Sequence, residues 1–203
     1  MPTIKSGMTW FEVEEWIGSK VTFEQPLPSS WTLVRKLRER ELYDSEDAWK
    51  MFHVPSEARG IFICEEDGKS HRQAVLKIYM QYDFLYPFPG NTPHRSKYFV
   101  RIPYYQTISK PRKIRVKQAR SEMSVQANRE ITALQGLTKA GCSSTPSLLS
   151  WKHSTQDDER FVPGGYITYI LMEKAPGISL AYFDELPREE RDRIRAALKC
   201  TWK

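Results

Sequence analysis

Apolar and polar positions change their period along this chain, and the changes divide it into elements. Ile61 to Cys64 is a short apolar run, Glu65-Glu66-Asp67-Gly68 supplies turn residues, and Gln73 to Met80 is a second run. Together they predict an antiparallel hairpin with a longish turn. Tyr82 to Lys117 carries Pro87, Pro89, Gly90, Asn91, Pro93, Pro103 and Pro111, too many breakers for one element, so it is expected to be an inserted excursion. From Gln118 to Lys139 the residues Met123, Ala127, Ile131, Leu134 and Leu137 recur at three- and four-residue steps, which predicts a helix stopped by Ala140-Gly141. Ser147 to Trp151 and Tyr166 to Met172 predict two strands around the polar loop Lys152 to Gly165. A last helix starts at Pro187 with Glu189 and Glu190 in its first turn, presents Ile194, Ala197 and Leu198, and has no stop signal before Lys203.

The first fifty residues mix Trp10, Phe11, Trp16, Trp31 and Leu33 with charged stretches such as Arg35 to Glu41, and Pro26 and Pro28 break the run. They are expected to form an amino-terminal extension with a short helix near Thr9 to Ile17. The expected class is therefore α+β, a small antiparallel sheet packed on one main helix, with an amino-terminal extension and a carboxy-terminal helix. No internal repeat is visible, which removes solenoids and propellers.

Composition places few further bounds. The 203 residues are 40% apolar and 12% aromatic, ordinary for a folded domain. No window approaches about eighteen uninterrupted apolar residues, and Met1 to Glu15 lacks the basic end and apolar core of a signal peptide, so an intracellular location and no membrane partner are expected. Cys64, Cys142 and Cys200 are odd in number and widely spaced, and His53, His71, His94 and His153 are scattered; neither set predicts a metal site. The net charge of +6 is unevenly placed. Between Asp83 and Glu122 there is no acid, while Arg95, Lys97, Arg101, Lys110, Arg112, Lys113, Arg115, Lys117 and Arg120 all fall there. This is a local basic surface, not a basic protein.

The chemistry-bearing constellation is elsewhere. Lys77 sits in Ala74-Val75-Leu76-Lys77-Ile78-Tyr79-Met80, otherwise apolar on both faces, where an ammonium is either an edge lysine reaching water or a group with a buried task. Glu130 falls three residues after Ala127 and four before Leu134, close to the apolar stripe of the main helix. It is either ordinary helix support or the partner of a cation. A strand lysine with an inward helix glutamate is the arrangement kinases use to hold a lysine against nucleotide phosphates.

At this point the chain resembles the protein-kinase-like superfamily. Ala74-Val75-Leu76-Lys77 is similar to its third-strand lysine motif, and Arg129-Glu130-Ile131 with Leu134 and Leu137 is similar to its first large helix. Tyr166 to Leu180, with Met172-Glu173 and Pro176-Gly177, resembles the fifth strand and hinge of aminoglycoside- and choline-type phosphotransferases and of fungal kinase-like proteins. The resemblance implies a kinase-like lobe over residues 49–176, with the basic insertion at 82–117, an extension at 1–48, and the exit from the hinge at 177–203. It implies ATP as the ligand, with Lys77 on phosphates, Glu130 holding Lys77, Met172 guarding the back pocket, and the backbone of Glu173 and Ala175 meeting the adenine edge.

The departures are equally specific. Where the family has a glycine-rich loop, Pro55-Ser56-Glu57-Ala58-Arg59-Gly60 offers one glycine and an acid. The chain ends before a His-Arg-Asp-type catalytic loop or an Asp-Phe-Gly metal site, so no catalytic residue is expected. The leading expectation is a pseudokinase-like lobe, inactive alone, serving as a relic nucleotide site or an interaction module. Its hinge and last helix, with Leu180, Tyr182, Phe183, Ile194, Leu198 and Trp202, would need cover from the amino-terminal aromatics, a homodimer or a second protein. A second expectation is a nucleic-acid or acidic-partner binder using residues 95–120, with Arg112, Lys113, Arg115 and Lys117 as contacts and Tyr98, Phe99, Tyr104 and Tyr105 as stacking groups. A third is a fragment of an active ATP-dependent phosphotransferase.

Overall fold

The structure is a computed structural model that describes residues 9–42, 55–68, 72–82, 111–176 and 180–201. Within them six strands form one antiparallel sheet in the order β1-β2-β3-β4-β6-β5: β1 Lys20–Phe23, β2 Ser29–Leu42, β3 Ser56–Glu66, β4 Gln73–Tyr82, β5 Leu148–Thr155 and β6 Tyr166–Glu173. The sheet curls until its edge strands approach each other, and the Ser150 hydroxyl on β5 donates to the Gln25 carbonyl just after β1. The helices are α1 Val13–Trp16, α2 Arg112–Val116, α3 Val125–Lys139 and α4 Arg188–Thr201, with a 3₁₀ turn at Leu180–Glu185 before α4.

Both faces of β4 are covered. Ala74, Leu76, Ile78, Met80 and Tyr82 join a large core with Trp10, Phe11, Trp16, Trp31, Leu33, Phe62 and Leu171. Its other face carries Tyr79, which packs with Ile170, Met172 and the helix residues Ala127, Ile131 and Leu134. At about 1.5–3 kcal/mol for each large apolar side chain taken from water, the two clusters account for the sheet's position between its amino-terminal segment and α3. Helix α3 is closed at both ends. Ser124 accepts from the Ala127 amide at 3.1 Å, and Gly141, at φ 66°, lets the Gly141 and Cys142 amides reach the Thr138 and Leu137 carbonyls.

Several sequence expectations are corrected. The first fifty residues contribute β1 and β2 to the same sheet, and the expected helix near Thr9 to Ile17 is the single turn α1. The main helix starts at Val125, not Gln118, because Ser124 caps it; Gln118 and Arg120 are instead tied to Gln81. Ser56 to Gly60 is strand, not loop, paired throughout with β4 and from Glu57 onward with β2. The amino-terminal aromatics seal the core face of the sheet and do not cover α4, where Leu198 stays 51% exposed. The Leu180, Tyr182 and Trp202 side chains, and the insertion from 83 to 110, lie outside the described residues, as do His53, His71 and His94. The cysteines are free, with Cys64 buried and Cys200 exposed. Among the described residues no helix is long and apolar enough to cross a membrane.

Candidate functional site

Antiparallel register places Val75, Lys77, Tyr79 and Gln81 on the face of β4 that α3 covers. Lys77 lies opposite Ile61 of β3 and Ile170 of β6, and Val75 lies opposite Ile63 and Met172. On α3, Ala127, Ile131 and Leu134 are buried in this face, and Glu130 projects beside them. Lys77 Nζ donates to Glu130 Oε2 at 2.5 Å, and the Tyr79 hydroxyl donates to the same oxygen. The side chains of Lys77 and Glu130 are 19% and 25% exposed, so the pair is shielded yet open to a ligand. Burial, then the hydrogen bond to Glu130, raises the Tyr79 phenol well above its ordinary range, so it stays a donor. Lys77 Nζ also stands 5.1 Å from the Tyr79 ring centroid.

The sequence-derived residues therefore fall into two groups. Lys77, Glu130 and Met172 share the α3 face, with Met172 almost fully buried beside Val75. Glu173 and Ala175 instead line a cleft of about 650 Å³ at the end of β4 and β6, with Arg72, Ser144 and Lys174. Lys77, Glu130 and Met172 do not line it. Glu173 is fixed by Ser147: its amide donates to the Ser147 carbonyl at 2.9 Å, and its carboxylate accepts from Ser147, which lowers its pKa. The cleft opens beside the predicted hinge, where Glu173, Lys174, Ala175 and Pro176 line it.

Of the basic residues at the end of the insertion, two are committed. Arg115 is buried and donates to the carbonyls of Arg160 at 2.5 Å and Phe161 at 3.2 Å. Arg112 pairs with Asp158 at 2.5 Å, while Lys113 and Lys117 are exposed. His153 bridges Thr168 and the Ser121 carbonyl. Among the described residues, no three His, Cys, Asp or Glu side chains converge on a metal-sized site.

Two features escaped the sequence reading. Tyr79 carries no role in the sequence reading, although its spacing of two from Lys77 places both on one face of a strand. Glu57, expected to repel phosphates unless Arg59 compensates, is 2% exposed; it pairs with Arg59 at 2.9 Å and accepts from the Tyr166 hydroxyl at 3.1 Å. Arg59 in turn lies 5.1 Å over the Tyr79 ring. No protein-family model matches this chain, and neither a curated protein nor a solved structure matches it.

Proposed function

We propose that the chain is a kinase-like lobe whose α3 face binds a nucleotide such as ATP, and that it transfers no phosphoryl group by itself. The observation that carries this reading is the Lys77–Glu130 ion pair, made between a central strand and the helix packed on it. An ammonium held this way is positioned for phosphate oxygens while its stem stays in the sheet. The element order lends support. Along the chain β4 with Lys77, α3 with Glu130 and β6 with Met172 follow one another in the order in which the resembling motifs run. Met172 then sits at the back of the site, while Glu173 and Ala175 line the separate cleft at the end of β4 and β6.

The test is calorimetric titration of the full chain with ATP and with adenosine, with and without magnesium, alongside Lys77→Ala. Phosphate-directed binding predicts that ATP binds more tightly than adenosine and that Lys77→Ala removes the difference. Equal affinity of the unmodified chain for the two ligands would end the proposal.

A further inference from the structure

The charges of β2 are sorted by the sheet into two sets. Lys36, Glu39 and Glu41 face the core side, where they hold the amino-terminal segment. Lys36 Nζ donates to the Phe11 carbonyl at 2.7 Å, Glu39 accepts from the Phe11 amide at 3.2 Å, and Glu41 accepts from Trp10 Nε1 at 2.8 Å. Arg35, Arg38 and Arg40 face the other way, toward the side that carries Lys77. Two bulges produce this sorting. The one between Leu33 and Arg35 turns Arg35 out of the core face, and the one between Lys36 and Arg38 restores the alternation for Arg38 and Arg40.

Register then builds a compact cationic patch. Arg38, Ile61 and Lys77 form one row across β2, β3 and β4, and Arg40, Arg59 and Tyr79 form the next. Strands lie about 4.8 Å apart, so Arg38 and Lys77 flank Ile61 at about 10 Å between backbones, within joint reach of long side chains. Arg40 stands directly opposite Arg59, a like-charge arrangement that destabilises an antiparallel pair. Arg35, Arg38 and Arg40 are exposed, and among the described residues no carboxylate pairs with them. Glu57 and Glu130, on Arg59 and Lys77, are the carboxylates joined to the patch, and Glu65 lies beyond it, bonded to Gln73. Meanwhile no glycine stands between Gly18 and Gly60, so the turn from β2 to β3 cannot be a glycine-rich phosphate loop.

We infer that Arg38, Arg40 and Arg59, together with Lys77, form a side-chain grip for the polyphosphate of a nucleotide whose base lies toward Ile61 and Val75. This deepens the nucleotide-lobe reading and rests on it for the base. Guanidinium forks supply the several directed donors that backbone amides of a glycine loop would supply, and a bound polyphosphate relieves the Arg40–Arg59 opposition.

The experiment titrates the full chain at low salt with ATP, inorganic tripolyphosphate and adenosine. Arg38→Gln/Arg40→Gln is compared with Lys77→Met and with Arg188→Gln/Arg193→Gln, which removes equal charge from α4. The grip predicts that Arg38→Gln/Arg40→Gln weakens ATP and tripolyphosphate about ten- to a hundredfold, spares adenosine, and does not lower the melting temperature of the free protein. The α4 variant leaves all affinities within about twofold, since exposed charge at a distance is screened. Unchanged ATP affinity in Arg38→Gln/Arg40→Gln, with loss in Lys77→Met, overturns the grip and keeps the nucleotide lobe. Tripolyphosphate binding lost in that variant, with no adenosine binding and ATP no tighter than tripolyphosphate, keeps the grip and overturns the lobe. Equal weakening by the α4 variant, or no binding of any ligand, overturns the grip.

Discussion

Glu130→Ala is the perturbation that best tests the architecture of the site. Glu130 Oε2 accepts from both Lys77 Nζ and the Tyr79 hydroxyl, so truncation leaves an ammonium and a buried phenol without their acceptor. A hydrogen bond to a charged group contributes about 1.5–3 kcal/mol, and an orphaned buried hydroxyl costs about 1–3 kcal/mol. Because both charged side chains remain partly exposed, water recovers some of this, and we expect a net loss of about 2–4 kcal/mol. Glu130→Gln keeps an acceptor for Tyr79 and should lose about 1–2 kcal/mol. Lys77→Met leaves Glu130 bonded to Tyr79 and open to solvent, and its apolar replacement suits the strand, so stability should change by less than about 1 kcal/mol. Urea unfolding followed by tryptophan fluorescence measures all three, and a Lys77→Met/Glu130→Gln cycle should give a coupling of about 1–2 kcal/mol. A Lys77→Met loss as large as that of Glu130→Ala, or a coupling near zero, would refute the reasoning.

Two other perturbations address the scaffold. A Cβ at Gly60 would lie 2.7 Å from Phe62 Cε2 and 3.0 Å from the Phe11 ring, so Gly60→Ala should destabilise by about 1–3 kcal/mol; an unchanged unfolding midpoint would contradict the packing of Phe11 on β3. The Asp67 carboxylate accepts from Lys20, Thr32 and Ser30, which hold its pKa at about 2, below its ordinary value of about 3.9. Its contribution is therefore complete above the unfolded value and lost as pH falls through about 2. Melting temperatures from pH 5 to 2 should fall more steeply for the parent chain than for Asp67→Asn, and parallel slopes would remove the assignment.

What could be read in the sequence follows from how each element advertises itself. The β3–β4 hairpin and α3 were legible because apolar runs and a three-to-four period survive any packing partner. Lys77 and Glu130 were legible because a charge in an apolar setting needs a reason. Beta-strand β2 was not. Arg35 to Glu41 has no apolar period, since both of its faces carry charge, and its bulges break the alternation that remains. Its sign pattern makes sense only once Lys36, Glu39 and Glu41 are seen on the amino-terminal segment. The start of α3 was misplaced because the signal lay in a cap, Ser124, and not in the apolar spacing.

The two faces of the sheet consequently carry different burdens. Trp10, Phe11 and Trp16 close the core face, with Trp10 stacked on Tyr82 at 3.9 Å between ring centroids and Phe11 edge-on to Phe62. Most of the apolar burial lies there. The opposite face is covered by α3 over β4, β6 and β5, while β2 and the neighbouring part of β3 present arginines. A protein with a single buried face could not hold opposed arginines on its central strands without endangering the fold. Because most of the apolar burial lies across the sheet from these charges, changing Arg40 or Lys77 should cost little stability, so that such changes separate ligand binding from folding.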